Sequence, residues 1–157
     1  MADGVSHLKP GGYIEFQELE YWPYSDDDTL TSETPYALRD YIRYMEAGLR
    51  AYGSELHAIR TLADELKEVG FDDVQTTTHK APVGLWPLDR RLRLCGFFLK
   101  TAVTDGLRGV SRRPLMALGW TQLQIEMFLV DVRKALSNQN IHCYMLFRSV
   151  YGRKPLS

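Results

Sequence analysis

The sequence predicts an α/β fold, and the order of its elements is the main reason. Along the 157 residues, the apolar pattern predicts a strand, two helices, a second strand, two or three helices and a third strand. A crossover through two helices is typical of a sheet whose faces are covered by helices. A chain of this length is expected to form a single domain, residues 1–157.

The first strand is predicted directly after a helix-stopping turn. Pro10 cannot continue a helix and Gly11 fits the left-handed conformation of a helix cap, so any preceding helix ends there. Residues 13–19 then place Ile14 and Phe16 on one face and polar side chains on the other, which is the alternation of a strand. The loop that follows, YWPYSDDD at residues 21–28, is rich in turn formers.

Capping signals and apolar spacing predict the elements of the central region. Thr34-Pro35 is a favourable helix start, and the helix is expected to continue to about Ala51. A second helix is expected after Gly53 and should stop at Gly70. The Thr-rich segment 74–79 favours a short strand.

The last third of the chain is predicted to be helical up to its final strand. Trp86-Pro87-Leu88-Asp89 opens a long helix, and a separate short helix is expected around residues 114–118. Thr121 and Gln124 form a capping box for another helix. Residues 141–151 are predicted as the last strand.

The charges are distributed unevenly, although the formal net charge is only -1. Residues 1–78 carry a net charge of -10, and residues 79–157 carry +9. Such a split can mark a nucleic-acid surface, but the basic residues are scattered and no aromatic side chains alternate with them. Acidic and basic parts that face each other within one domain explain it better, so no nucleic-acid partner is expected.

The remaining composition excludes several classes. No apolar run approaches the ~20 residues that a membrane span needs, so no membrane association is expected and the cytosol or nucleus is the expected location. Cys95 and Cys143 lie inside predicted elements and are interpreted as reduced core thiols. The sequence contains no glycine-rich phosphate loop, no histidine at zinc spacing and no nucleophile elbow.

Two loop features are candidates for function, and each has a structural alternative. Asp26-Asp27-Asp28 could hold a hard cation such as Mg²⁺, although such triplets are more often turns. Aromatic side chains fall in loops just beyond strands, where α/β sheets place their ligand crevice. The alternative is that they close the core at its rim. These aromatic residues are Tyr21, Trp22, Tyr24 and Trp86.

Four segments in this order resemble a known family. LKPGGYIEFQELE (residues 8–20) is similar to the segment of class I S-adenosylmethionine-dependent methyltransferases in which a helix ends and strand five begins. VGLWPLD (83–89), ALGW (117–120) and IHCYMLFRSVYGRKP (141–155) resemble the LaeA-like fungal methyltransferases. That family is associated with secondary-metabolite gene clusters and their regulation. The resemblance covers essentially the whole chain.

The resemblance implies a partial class I, Rossmann-like methyltransferase sheet. The family's strand order is 3-2-1-4-5-7-6, with strand seven antiparallel and the cofactor on strands one, two and four. Because the chain begins just before strand five, it is expected to supply strands 5-7-6 with their helices, and the cofactor-binding half is expected to be absent. The first strand would then leave an open edge that could recruit a second copy or another protein.

The resemblance also implies a reaction and its residues. The complete enzyme would transfer a methyl group from S-adenosylmethionine to a small metabolite or a protein. Glu18 and Glu20 are the candidate catalytic carboxylates, and Tyr21, Trp22 and Trp86 are the candidate substrate-binding residues. No cofactor-binding residue is assigned, and the chain alone is expected to be inactive.

Two other functions stay open. The chain could be a non-catalytic interaction module or dimerising subunit that uses the strand edge. It could also be a metabolite-binding or pericyclase-like protein that works without S-adenosylmethionine.

Overall fold

The computed structural model describes residues 7–156, and within them the predicted α/β class is confirmed. A helix predicted before Pro10 lies mostly outside the described residues. The elements in chain order are β1 (Tyr13–Tyr24), α1 (Ala37–Arg50), a 3-10 turn (Ala58–Arg60), α2 (Leu62–Glu68), β2 (Asp72–Pro82), α3 (Arg90–Ala117), α4 (Gln122–Ser137) and β3 (Tyr144–Arg153).

The three described strands form one antiparallel sheet in the order β1-β3-β2. The strand that comes last in the chain is therefore central, and β1 lies at an edge. Because β3 runs antiparallel to both neighbours, its beginning lies beside the ends of β1 and β2. This arrangement brings three loops to one end of the sheet.

The described chain groups into two compact units. The first contains residues 7–20, 57–79 and 146–156, and the second contains residues 21–56 and 80–145. Each strand therefore contributes residues to both units. The expectation of a single domain stays a prediction.

The core of the first unit is built where α2 meets the sheet. Its buried side chains are Ile59, Leu62, Leu66, Phe71 and Val150, with Leu8, Ile14, Phe16, Ala63 and Val74 packed against them. Gly152 leaves room at this contact, because a Cβ there would meet Phe71 at 3.1 Å and Val74 at 3.3 Å. The inward face predicted for β1, Ile14 and Phe16, is thus confirmed.

The core of the second unit is formed by α1, α3 and α4, which pack on one another. Its most deeply buried side chains include Leu38, Ile42, Leu107, Leu115, Leu129 and Val132. The helices α1 and α3 approach closely at Gly48, where any Cβ would collide with the carbonyl of Pro114. Glycine at this position permits the contact.

The prediction of a separate short helix around Pro114 was wrong. α3 runs unbroken for 28 residues and contains Pro114. A proline inside a helix removes one backbone hydrogen bond and crowds the preceding turn. Here Pro114 is buried against α1, and this packing holds the residues on both sides of it in one helix.

Other boundaries and exposures also differ from expectation. β1 continues to Tyr24, so the prediction that Tyr21, Trp22 and Tyr24 lie in a loop was wrong. α1 begins at Ala37 with Tyr36 as its N-cap, because the hydroxyl of Thr34 instead accepts a hydrogen bond from the Thr31 N–H at 2.9 Å. Both cysteines are unpaired, but only Cys143 is buried. Cys95 lies on an exposed face of α3, so its assignment to the core was wrong.

The capping box of α4 is confirmed. The Thr121 hydroxyl accepts the Gln124 N–H, and the Gln124 side chain accepts the Thr121 N–H at 2.8 Å. Among residues 7–156, three ion pairs of a lysine or arginine join acidic residues of the first half of the sequence to the second half. They are Glu20–Arg148, Asp73–Arg153 and Asp26–Lys80, each within one unit.

Candidate functional site

Polar and aromatic side chains meet where the ends of β1 and β2 lie beside the beginning of β3. All of them belong to the second unit. We call this group the strand-end cluster, and it consists of Asp26, Asp27, Lys80, Trp86, His142 and Tyr144. Its members come from three chain segments that are distant in sequence. Asp26 and Asp27 follow β1, Lys80 and Trp86 lie at and after the end of β2, and His142 and Tyr144 lie just before and at the start of β3.

The first part of the strand-end cluster is an aspartate–histidine pair. The Asp27 Oδ2 atom lies 2.8 Å from His142 Nδ1. The other carboxylate oxygen of Asp27 accepts the Thr29 N–H at 3.0 Å, the Thr29 hydroxyl, and the Ser25 hydroxyl at 2.9 Å. These bonds hold the pKa of Asp27 well below its usual range, with the Thr29 hydroxyl as the main cause and the His142 ring as the next.

The backbone of His142 is fixed by the same loop. Its N–H donates to the Thr29 hydroxyl oxygen at 2.9 Å, and its carbonyl accepts the Ser25 hydroxyl at 3.2 Å. The His142 side chain is 39% exposed. The imidazole is therefore anchored at Nδ1 and partly open to solvent.

The second part of the strand-end cluster is formed by Asp26, Lys80 and Tyr144. The Tyr144 hydroxyl donates to Asp26 Oδ1 at 2.7 Å, and the Lys80 ammonium donates to Asp26 Oδ2. The Lys80 ammonium also lies 4.6 Å from the centre of the Tyr144 ring. The ammonium lowers the pKa of Asp26, and the carboxylate raises the pKa of Lys80. Burial, followed by the Asp26 carboxylate, raises the pKa of Tyr144.

Trp86 completes the strand-end cluster. Its ring stacks on the His142 imidazole with 5.1 Å between ring centres and 26° between planes. Its Nε1–H donates to the Cys143 carbonyl at 3.0 Å, which fixes the indole orientation. Close packing supports this loop, because a Cβ on Gly96 would collide with the Gly84 carbonyl. Trp86 was predicted as a substrate-binding residue, and the structure places it beside a histidine.

An apolar cavity of about 390 Å³ lies between α1 and α3 in the second unit. Of the predicted site residues, Tyr21 alone lines it. Tyr41 has its hydroxyl 3.0 Å from Ser111 Oγ, and burial raises the pKa of this phenol. The lining side chains are Tyr21, Tyr41, Ile42, Met45, Leu49, Leu56, Leu99, Ala102, Val103, Gly106, Leu107 and Val110.

The two predicted catalytic carboxylates lie in the first unit and differ sharply. Glu18 is exposed. Glu20 is 1% exposed, and its carboxylate oxygens are bound by Arg60 and by Arg148, each at 2.7 Å. A carboxylate that is neutralised in this way is typical of a structural ion pair. The catalytic roles of Glu18 and Glu20 stay predictions.

Trp22 occupies a further position in the second unit. It is half-buried, and the Arg43 guanidinium lies 5.7 Å from its ring centre. The structure thus places Tyr21, Trp22 and Trp86 in three different environments. The substrate-binding roles of these residues also stay predictions.

Sequence reasoning missed the Asp27–His142 pair. The two residues are 115 positions apart, and His142 had no partner at a recognisable spacing. Asp27 was noted only as part of a triplet, and its bonds to the Thr29 N–H and to the Ser25 hydroxyl show that triplet to be a turn. Between residues 7 and 156, no three His, Cys, Asp or Glu side chains are grouped to hold a metal ion.

Methyltransferases are the class of protein to which the chain is similar. Methyltransferase pytC of Aspergillus terreus is 28% identical over 155 residues, which is 96% of the chain and 46% of that protein. The secondary metabolism regulator LAE1 of Cochliobolus heterostrophus is 31% identical, over 96% of the chain and 49% of that protein. The protein-methionine methyltransferase laeA of Emericella nidulans is 26% identical, over 96% of the chain and 40% of that protein. No protein-family model matches the chain.

The resemblance to the LaeA-like methyltransferases is therefore confirmed over nearly the whole chain. The chain spans about half the length of the curated relatives it matches. This share agrees with the expectation that the chain corresponds to part of such a protein. No helix between residues 7 and 156 has both the length and the apolar character needed to cross a membrane.

The apolar cavity does not suit S-adenosylmethionine. This cofactor carries a sulfonium, an ammonium and a carboxylate, whereas no charged side chain lines the apolar cavity. Burying such charges without partners is unfavourable. Within residues 7–156, no strand is followed by a glycine-rich turn that could hold the cofactor.

Proposed function

We propose that the chain is the acceptor-side part of a LaeA-like methyltransferase, with β1, β3 and β2 equivalent to strands five, seven and six. The observed order β1-β3-β2, with an antiparallel central strand, supports this equivalence. Similarity to proteins named methyltransferases over 96% of the chain supports the reaction class. The expected reaction is methyl transfer to a small metabolite or a protein.

In this proposal, a cofactor-binding part must be supplied in addition to residues 7–156. The support is the mismatch between the apolar cavity and S-adenosylmethionine, together with the lack of a glycine-rich turn after the described strands. We propose Trp86 and Tyr21 as acceptor-binding residues, with Trp22 nearby in sequence and Glu18 and Glu20 as further candidates. A cytosolic or nuclear location belongs to the same proposal, and fluorescence microscopy of the tagged chain would test it.

The apolar cavity is the proposed site for the hydrophobic body of the acceptor. Its volume of about 390 Å³ lies within the ~300–1,000 Å³ usual for small-molecule pockets. Tyr21, at its margin, is 42% exposed and could contact both the ligand and solvent. An acceptor with a hydrophobic body is therefore expected.

Calorimetry and a fluorescent apolar probe test this function together. The chain should bind the probe, and Val103→Trp should abolish binding because the larger side chain fills the cavity. Val130→Trp is the matched control, since Val130 is exposed on α4 and does not line the cavity. Micromolar binding of S-adenosylmethionine by the chain alone would contradict the proposal, as would equal probe binding by both variants.

A second candidate function is a non-catalytic module that pairs through β1. The position of β1 at the edge of the sheet supports it, because an edge strand has backbone groups available to another strand. Light scattering over a range of concentrations would show a dimer if a second copy binds there. A monomer at all concentrations would argue against self-association.

A further inference from the structure

We propose that Asp27 and His142 form a proton-accepting pair, in which His142 Nε2 removes the proton from the nucleophile of the methyl acceptor. The inference rests on the proposed function, because it assumes that an acceptor whose hydrophobic body lies in the apolar cavity has its reacting end beside Trp86, in the strand-end cluster. It assigns the pair a chemical role in addition to joining two loops.

The protonation pattern follows from the bonds of Asp27. Its pKa lies well below the usual range, so its carboxylate is ionised and can only accept hydrogen bonds. His142 Nδ1, 2.8 Å from Asp27 Oδ2, must therefore donate. A neutral imidazole carries one proton, so the lone pair of His142 is left on Nε2.

Two neighbours of the ring would stabilise the imidazolium formed in the proposed step. Asp27 is held by Thr29 and Ser25, so its negative charge stays beside the imidazole. The Trp86 ring lies 5.1 Å from the imidazole centre, a distance at which an aromatic face attracts a cation. Both contacts are stronger with the protonated ring than with the neutral one.

The other charged groups of the strand-end cluster are already paired. Lys80 donates to Asp26, and the Tyr144 hydroxyl donates to the same carboxylate. The Lys80 charge is therefore offset locally by the Asp26 carboxylate. The Asp26 carboxylate is engaged by Lys80 and Tyr144. Asp27 is therefore the carboxylate that contacts the His142 ring.

The proposed step is a balanced proton transfer. The acceptor's O–H or N–H bond breaks, the proton moves to His142 Nε2, and the bonding electron pair stays on the acceptor atom as the nucleophilic lone pair. The imidazolium later returns its proton to water. A positioned base of this kind typically contributes ~10²–10⁴-fold to a reaction rate.

Nuclear magnetic resonance of the ¹⁵N-labelled chain tests the protonation pattern directly. Long-range ¹H–¹⁵N correlations, recorded well above the ordinary imidazole pKa of about 6.5, should show His142 protonated at Nδ1 and bare at Nε2. A proton on Nε2 would overturn the proposal. The measurement uses the unmodified chain and does not depend on any variant folding correctly.

Chemical modification tests whether the lone pair is available. Diethyl pyrocarbonate reacts with unprotonated imidazole nitrogens, and peptide mass mapping resolves each histidine. His142 should react at least as fast as the exposed His79, which is the internal reference. A slower reaction at His142 would show that Nε2 is blocked and that the pair is only a structural tie.

Substitution separates the role of Asp27 from general effects on the loop. Asp27→Asn should lower the reaction rate of His142 severalfold, because a neutral amide no longer fixes the proton on Nδ1. Asp28→Asn is the matched control on the adjacent exposed residue and should leave that rate unchanged. Equal rates in both variants would overturn the role of Asp27. Probe binding to the apolar cavity is measured separately, so failure of the pair is distinguishable from failure of the proposed function.

Discussion

Glu20 is a carboxylate that is almost completely buried, with Arg60 and Arg148 on its two oxygens. Replacing it with a neutral residue leaves two guanidinium groups without their counter-charge. Removal of one partner from a buried ion pair costs about 3–5 kcal/mol. The loss of stability is smaller here because solvent screens the two arginine side chains, which are 42% and 26% exposed.

Glu20→Gln should therefore lower the free energy of unfolding by about 2–3 kcal/mol. Glu18→Gln, on the exposed neighbour, should change it by less than about 0.5 kcal/mol. Urea unfolding followed by circular dichroism measures both. Similar values for the two variants would show that the arginine contacts contribute little to stability.

Asp27 makes the stability of the chain depend on pH. Its pKa is lower in the folded chain than the ~3.9 of an unfolded aspartate. Its contribution is present above about pH 4 and is lost as the pH falls toward the folded-state pKa. Between about pH 5 and pH 2, the unfolding free energy of Asp27→Asn should fall less steeply than that of the wild type.

A graded variant checks the cause of that dependence. Thr29→Val removes the hydroxyl that lowers the pKa of Asp27 most, so its slope should lie between those of the wild type and Asp27→Asn. Thermal unfolding at several pH values provides the measurement. A wild-type slope in Asp27→Asn would contradict the linkage.

Individual site residues could be predicted from the sequence only where neighbouring residues in the chain indicated their position. Trp86 follows a strand in sequence, and its contact with another loop was a reasonable expectation. The partnership of Asp27 with His142 depends on which strands are neighbours, and no spacing in the sequence encodes that. Glu20 illustrates the same limit, because its arginines lie 40 and 128 positions away.

α1 and α3 are held together by a contact that only glycine permits. A methyl group at Gly48 would meet the Pro114 carbonyl, so Gly48→Ala should force the helices apart and cost about 1–3 kcal/mol. Gly109→Ala is the matched control in α3, since no atom lies within 4 Å of its Cβ position. This variant should be more stable than the wild type by about 0.5–1 kcal/mol. Chemical unfolding measures the stability of both variants. A change in the same direction for both would contradict the role given to Gly48.

The elements themselves were largely predictable, because their signals are short-range. The Thr121–Gln124 capping box and the apolar face of β1 needed only a few adjacent residues. The continuity of α3 was not predictable, because it depends on packing between Pro114 and a helix some 60 residues earlier. Local rules correctly identify proline as unfavourable, but tertiary contacts decide whether the helix breaks.

The sheet depends on its last strand more than on either of the others. β3 is the common neighbour of β1 and β2, so a chain that lacks residues 144–157 cannot form the β1-β3-β2 sheet. Circular dichroism should show loss of the cooperative unfolding transition in this truncated chain. Leu156→Ser, at an exposed side chain in the same region, should unfold within about 0.5 kcal/mol of the wild type. Cooperative unfolding of the truncated chain would contradict this role of β3.

The central position of β3 also affects how the chain is made. During synthesis, β1 and β2 emerge from the ribosome well before β3, the neighbour that they share. Asp27 and His142 can form their contact only after nearly the whole chain has been synthesised, because they are 115 positions apart. The nuclear magnetic resonance signal of the His142 ring, which stacks on Trp86, would therefore report when this last part of the sheet has formed.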